Sequence, residues 1–177
     1  MQRVADGLLS RVDVNDERAF TDLLVPLIQP GYRLACAMLH DREAAEDVVQ
    51  DASLTAWRKL ERLDDHSRLR AWFLGIVANE CRNARRRKWL TAVSLGLTSR
   101  ASVSSAEERV VSHADIRRAL RRLGHRDRLV VSLYFYLDLS IEEIAEVAGC
   151  SVGAARVRLH RSIHRLRPDL AIEEALR

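Results

Sequence analysis

The chain has 177 residues, of which 47% are hydrophobic and only 5% aromatic, so it can bury one medium or two small cores and must build them from aliphatic side chains. Seven glycines and three prolines sit among abundant Ala, Leu, Glu and Arg, with no alternating run of Val, Ile and Thr, which excludes a sheet protein and predicts an all-α fold. A net charge of +4 marks a mildly basic protein, and three scattered cysteines without CxxC or Cys/His spacing exclude a disulfide framework or a zinc site.

Residues 1–14 read as a mixed leader, frayed at its start. A helical pattern begins near Asp16 with Phe20, Leu23, Leu24, Leu27 and Ile28 at helical spacing. Pro26 and Pro30 interrupt it, which predicts a kink or two short helices before Tyr32–Leu39 resumes. Asp41 is placed to cap a helix carrying Ala44 to Leu60. Asp64, Asp65, His66 and Ser67 form a polar loop, and Ser67 is placed to cap a helix running to about Trp89.

From Leu90 to Ser105 the composition shifts to Ser, Thr, Gly and Ala without a sustained period, which reads as a flexible linker. Ser105 and Glu108 have capping-box spacing and restart a helix through Val110, Val111, Ile116, Leu120 and Leu123, with Gly124 as its end. A helix from His125 to Leu137 follows. Ser140 with Glu143 is a second capping box, Gly149 a C-cap, and Ser151 the cap of a last long helix to Leu166 that Pro168 stops. The predicted organisation is two small helical domains, 15–89 and 107–170, joined by a linker at 90–106 and followed by a tail at 171–177. The second is a four-helix domain.

Ser140 to Leu166 has the layout of a helix-turn-helix: a short helix, a turn at Gly149, Cys150 and Ser151, and a longer helix. Ile141, Ile144, Ala145 and Ala148 form one inner face, and Val152, Ala155, Leu159, Ile163 and Leu166 the other. The opposite stripe carries Gly153, Arg156, Val157, His160, Arg161 and His164, a small and basic surface suited to a major groove. Ala154 and Gly153 let the backbone come close, Arg156 and Arg161 suit guanine, and Val157 suits a thymine methyl. Arg158 and Arg165 lie beside the stripe and suit phosphates.

The helix from Ala44 to Leu60 bears an acidic patch of Glu46, Asp47 and Asp51 beside Gln50, which in a basic protein fits a basic protein partner or simple solvation. The next helix opens with Arg68 and Arg70 and closes with Arg82, Arg85, Arg86, Arg87 and Lys88. Asn79, Asn83, Trp72 and Phe73 lie between, the mixture of cations, amides and aromatics found on nucleic-acid surfaces, although Trp57, Trp72 and Phe73 also suit a core.

These three stretches resemble the extracytoplasmic-function sigma factors of bacterial RNA polymerase, within the sigma-70 superfamily. AEDVVQDASLTAW (Ala45–Trp57) is similar to the polymerase-binding helix, RLRAWFLGIVANECRNARRRKW (Arg68–Trp89) to the −10 recognition helix, and LSIEEIAEVAGCSVGAARVRLHRSIHRLR (Leu139–Arg167) to the −35 helix-turn-helix. The resemblance implies that Asp47, Gln50 and Asp51 meet the β′ clamp helices of RNA polymerase core. It implies that the loop with Asp65, His66 and Ser67 captures a flipped −10 base, and that Asn79, Arg82, Asn83 and Arg86 contact that element. It places Ala154, Arg156, Val157, Arg158, His160, Arg161 and Arg165 at the −35 element, with the second domain against the β flap. Promoter DNA and an anti-sigma factor are the other implied partners.

Some positions depart from the family pattern. Leu123-Gly124 replaces Leu-Pro, Gly153-Ala154-Ala155 replaces Gly-Thr-Val, and Asp51 replaces Glu. The expected function is promoter-specific initiation without covalent chemistry, catalytic residues, metal or cofactor. The six histidines read as surface groups, the cysteines as reduced apolar side chains, and the chain as cytoplasmic, without membrane insertion. The competing reading is a one-component helix-turn-helix regulator that binds duplex DNA without polymerase.

Overall fold

A computed structural model of the chain describes residues 17–63, 65–94 and 113–170. Among them lie seven α-helices and no strand: α1 (Glu17–Leu39), α2 (Arg42–Lys59), α3 (Leu69–Ser94), α4 (His113–Arg122), α5 (His125–Phe135), α6 (Ile141–Ala148) and α7 (Val152–Leu170). They fall into two compact units, Met1–Cys81 and Arg82–Arg177, divided within α3.

In the N-terminal unit α1 is one continuous helix through Pro26 and Pro30, where the prolines predicted a kink or two short helices. Buried Leu24, Leu34, Ala35 and Met38 hold both sides of the prolines, and Pro26 itself is exposed. Gly31 carries the closest approach. A Cβ there would stand 2.9 Å from Phe73 Cε1, so only glycine lets α1 lie this close to α3. Asp41 caps α2 as expected, its Oδ1 accepting from Ala44 N at 3.3 Å. Ala45, Val48, Val49, Ala52 and Ala56 form the buried stripe of α2.

Two boundaries differ from the sequence expectation. Ser67 lies inside a 3₁₀ turn (His66–Arg68) and donates both its N–H (2.9 Å) and its hydroxyl (2.6 Å) to Asp65 Oδ1, so Asp65 organises the entry to α3 in place of Ser67. Helix α3 continues beyond Trp89 to Ser94, so the first residues assigned to the linker are helical; a Thr91 hydroxyl bond to the Arg87 carbonyl belongs to this extension. The rest of the linker, the Ser105/Glu108 capping box, the leader and the tail lie outside the described residues.

In the C-terminal unit α5, α6 and α7 pack on one another, with α4 against α7. Arg128, 9% exposed, is the polar centre of this core. Its Nε donates to the Leu120 carbonyl at 2.8 Å, and its Nη2 to those of Arg121 and Leu123 at 3.0 Å each. The guanidinium thus closes the carbonyl end of α4, the role that the sequence had assigned to Gly124. Gly124 instead precedes α5 as its N-cap, with φ −59° and ψ 156°. The capping signals of the helix-turn-helix hold in full. Ser140 and Glu143 cap reciprocally (2.8 and 3.2 Å), Gly149 adopts φ +62°, Cys150 N returns to the Ala145 carbonyl, and Ser151 Oγ accepts from Ala154 N. Val152, expected on the inner face of α7, is 38% exposed at the start of the helix, and two further inner-face expectations shift by one residue. Val147 is buried with Ile144 and Ala145, and Ser162 is fully buried where Ile163 is only half-buried. The Ser162 hydroxyl is satisfied on its own helix by the Arg158 carbonyl at 2.8 Å. Pro168 does not stop α7, which extends to Leu170.

The histidines are not all surface groups. His160 and His164 are exposed, but His125 is half-buried at the start of α5, and its Nε2 has no hydrogen-bond partner among the described residues. Burial, helped by surrounding positive charge, pushes its pKa down to about 4. The unfolded chain therefore takes up this proton near pH 6.5 while the folded chain does not. The stabilisation is complete above that pH and is lost as pH falls from 6.5 toward 4. Since the residue is only partly buried, we expect a loss on the order of 1–2 kcal/mol, read as a lower urea midpoint at pH 4.5 than at pH 7. His125→Gln should flatten that dependence; an unchanged slope would remove His125 as its source. All three cysteines are free, and burial pushes the Cys81 thiol up to about 12, which keeps it an unreactive apolar side chain.

Candidate polymerase and nucleic-acid interfaces

Three exposed faces carry the candidate residues. On α2, Asp47, Gln50 and Asp51 are all exposed, opposite the buried stripe. Leu54, 51% exposed, extends the same side one turn further and gives the acidic face an apolar centre that the sequence reading missed. Gln50 also borders a groove between α1 and α2 lined by Ile28, Tyr32, Glu46 and Val49.

On α3 the core ends at Cys81, and beyond it the described side chains face outward apart from half-buried Ala84. Asn79, Arg82, Asn83 and Arg86 are exposed at offsets of three, four and seven, and so share one face. Trp89, Leu90 and Val93 continue as exposed apolar residues after the basic cluster. At the start of the helix the Asp65 carboxylate is exposed and engaged by Ser67; the His66 side chain lies outside the described residues.

On α7 the structure separates the −35 candidates into two groups. Ala154, Arg156, Val157, His160 and Arg161 are exposed together on the face away from Ala155, Leu159, Ser162 and Leu166. The rings of His160 and His164 meet edge to face at 4.6 Å along it. Arg158 and Arg165 sit on the flank, and both reach Asp127 of α5, at 3.6 Å and 2.8 Å. Their engagement with Asp127 was not foreseen, because nothing local in the sequence relates residue 127 to residue 165. Arg128 was also missed; its signal was an arginine opening the apolar run Leu129–Leu133. Exposed Tyr134, Phe135 and Tyr136 end α5 as a further aromatic patch. Among the described residues no group of three or more His, Cys, Asp or Glu is placed to hold a metal, and no helix is long and apolar enough to cross a membrane.

A helix-turn-helix with a basic outer stripe, in one chain with a long helix that ends in a basic, amide-bearing stretch, has the makeup of a DNA-binding protein. Comparison with known proteins names the family. Residues 25–91 match the model of sigma-70 region 2 and residues 113–166 that of sigma-70 region 4. The chain is 31% identical to the ECF RNA polymerase sigma factor SigL of Mycobacterium tuberculosis, over 78% of this chain and 81% of that one. It is 27% identical to the ECF RNA polymerase sigma factor SigW of Bacillus subtilis, over 96% and 98%. Among solved structures it is similar to the sigma factor RpoE in complex with the anti-sigma factor NepR from Bartonella quintana (TM-score 0.74, 26% identity, 88% of this chain and 98% of that one). It is also similar to CnrH in complex with the cytosolic domain of CnrY (TM-score 0.69, 27% identity, 94% and 97%). The chain belongs to the sigma-70 family, as an extracytoplasmic-function sigma factor.

The departures from the family pattern are structurally mild. Gly124 holds φ −59°, within the range proline enforces, so the family's Leu-Pro entry to α5 is kept without the proline. Ala155 is fully buried where the pattern has valine, and Ala154 is exposed where it has threonine. The second substitution changes the outer surface of α7.

Proposed function

We propose that this sigma factor joins RNA polymerase core through the Asp47, Gln50 and Asp51 face of α2 and brings it to promoters in two contacts. The face of α7 that holds Arg156, Val157, His160 and Arg161 reads the duplex −35 element, with Arg158 and Arg165 on phosphates. The loop at Asp65, His66 and Ser67, with Asn79, Arg82, Asn83 and Arg86, holds the melted −10 strand. Unstacking a base costs a few kcal/mol, which pocket contacts offset. The observation that carries this reading is the pairing, in one chain, of an exposed acidic helix face with two separate exposed basic faces.

The domain boundaries that go with it are 15–89 and 107–170, with 90–106 as connection. The second domain sits against the β flap. An anti-sigma factor is the regulating partner, a reading supported by the likeness to the sigma factor RpoE, whose structure was solved in complex with the anti-sigma factor NepR. The protein works in the cytoplasm and catalyses no covalent step. The one-component regulator is not favoured, because the N-terminal half matches region 2 and not a sensor domain.

In vitro transcription from genomic fragments tests the reading. Core polymerase should start at discrete sites only when this protein is added. Arg161→Ala should lower initiation about 10- to 100-fold at promoters with an intact −35 element, the loss of one bidentate base contact, and much less where that element is scrambled. Specific duplex binding by the protein alone, with no gain in initiation, would overturn it.

A further inference from the structure

We infer that Asp127 sets how the recognition helix grips DNA: by holding Arg158 and Arg165 it positions them for phosphate and sharpens discrimination of the −35 element. The inference rests on the reading of α7 as the −35 helix and adds a residue that lies on another helix.

Three observations carry it. First, one carboxylate spans two turns of α7. Asp127 Oδ2 accepts from Arg165 Nη1 at 2.8 Å, and Oδ1 lies 3.6 Å from Arg158 Nε. Residues 158 and 165 are seven apart and so share one flank of the helix. Second, the three side chains differ in exposure: Asp127 is 21% exposed, Arg158 27% and Arg165 65%. Asp127 and Arg158 are largely withdrawn, while most of the Arg165 guanidinium faces outward with N–H donors still available. Third, the flank borders the exposed stripe with Arg156, Val157, His160 and Arg161, where the phosphates of a bound duplex would run.

Two physical effects follow. A guanidinium tethered at one end gives up less rotamer freedom when its other end meets a phosphate, so the helix docks in one register. The carboxylate also offsets one of the two positive charges on the flank. Attraction to DNA of any sequence grows with the number of phosphates neutralised, whereas base reading depends on register. Asp127 therefore weakens the first and supports the second. A purely structural staple between α5 and α7 would change stability without changing sequence discrimination.

The test uses holoenzyme assembled from core polymerase and the full chain, on promoter fragments located by start-site mapping, with the −35 element intact or scrambled. Binding is measured across a salt series. For Asp127→Asn we expect the intact-to-scrambled affinity ratio to fall about tenfold, with tighter binding to the scrambled fragment and a log–log salt slope steeper by about one. Asp127→Glu, which keeps the charge, should retain most of the ratio. Arg165→Met leaves the carboxylate and removes its outward partner; it should lower the ratio as well, and it decides the matter if Asp127→Asn does not fold. A ratio within twofold of wild type in a folded Asp127→Asn or Arg165→Met protein overturns the inference. If wild-type holoenzyme itself fails to distinguish the fragments, the −35 reading falls and the inference falls with it.

Discussion

Replacing Arg128 with methionine is expected to destabilise the C-terminal unit by about 3–4 kcal/mol, more than half of what a unit this small commonly has. The guanidinium is almost fully buried and closes three carbonyls, those of Leu120, Arg121 and Leu123. Hydrogen bonds from a charged donor contribute about 1.5–3 kcal/mol each and are not additive, and a buried carbonyl stripped of its donor carries a desolvation penalty of its own. Methionine keeps the stem's volume and removes all three donors. Lysine should rescue little, because a single ammonium on a flexible stem cannot reproduce the planar fork that reaches carbonyls on either side. Far-UV circular dichroism in urea should show helix loss beginning about 2 M earlier than in wild type. Tryptophan fluorescence should move far less, since Trp57 and Trp72 lie on α2 and α3 of the N-terminal unit and Trp89, in the C-terminal unit, is already 61% exposed. A shift in helix loss below 0.5 M, on the order of the ordinary effect of surface changes, would show that the three bonds are readily replaced by water.

Asp47→Arg is expected to remove promoter-specific transcription at protein concentrations where wild type saturates it. Asp47 is exposed on α2, outside the Val48–Ala52–Ala56 stripe, so its replacement should leave the urea midpoint within about 0.5 kcal/mol of wild type. Against a basic partner surface the change does two things: it removes an attractive pair and places like charges together. Disrupting a close interfacial pair typically costs about 2–5 kcal/mol, so core affinity should fall about 30-fold or more. Asp47→Asn, which removes the attraction without adding repulsion, should fall between the two. The deficit should shrink as salt rises, because both attraction and repulsion are screened. A folded Asp47→Arg protein that still binds core would move the polymerase contact off this face of α2.

How far the sequence could be read depended on the range of each interaction. Caps and turns were legible because their partners lie within a few residues. Asp41 with Ala44, Ser140 with Glu143, Gly149 at positive φ and Ser151 with Ala154 all appear where the residue types placed them. The outward stripe of α7 was legible for the same reason, since helical period alone sets which residues share a face. The errors came where packing overrode local preference. Pro26 and Pro30 weaken a helix by one bond each, yet α1 runs through both because Leu24, Leu34 and Met38 bury on either side. Trp89 and Leu90 looked like a boundary from composition, yet α3 continues to Ser94.

The polar contacts that organise the C-terminal unit were beyond reach of the sequence for a related reason. Arg128 finds its carbonyls five to eight residues back across a turn, and Asp127 finds Arg165 across 38 residues. No pattern of residue types encodes a meeting of that separation. It exists only once apolar burial has laid α5 against α7. By itself, then, the sequence determined the helical class, the caps at Asp41, Ser140, Gly149 and Ser151, the helix-turn-helix and the faces that residues share, because these depend on neighbours within about two turns. The tertiary structure alone decided which buried and half-buried charges are paired, because a charge withdrawn from water must take whatever partner the packed core brings to it.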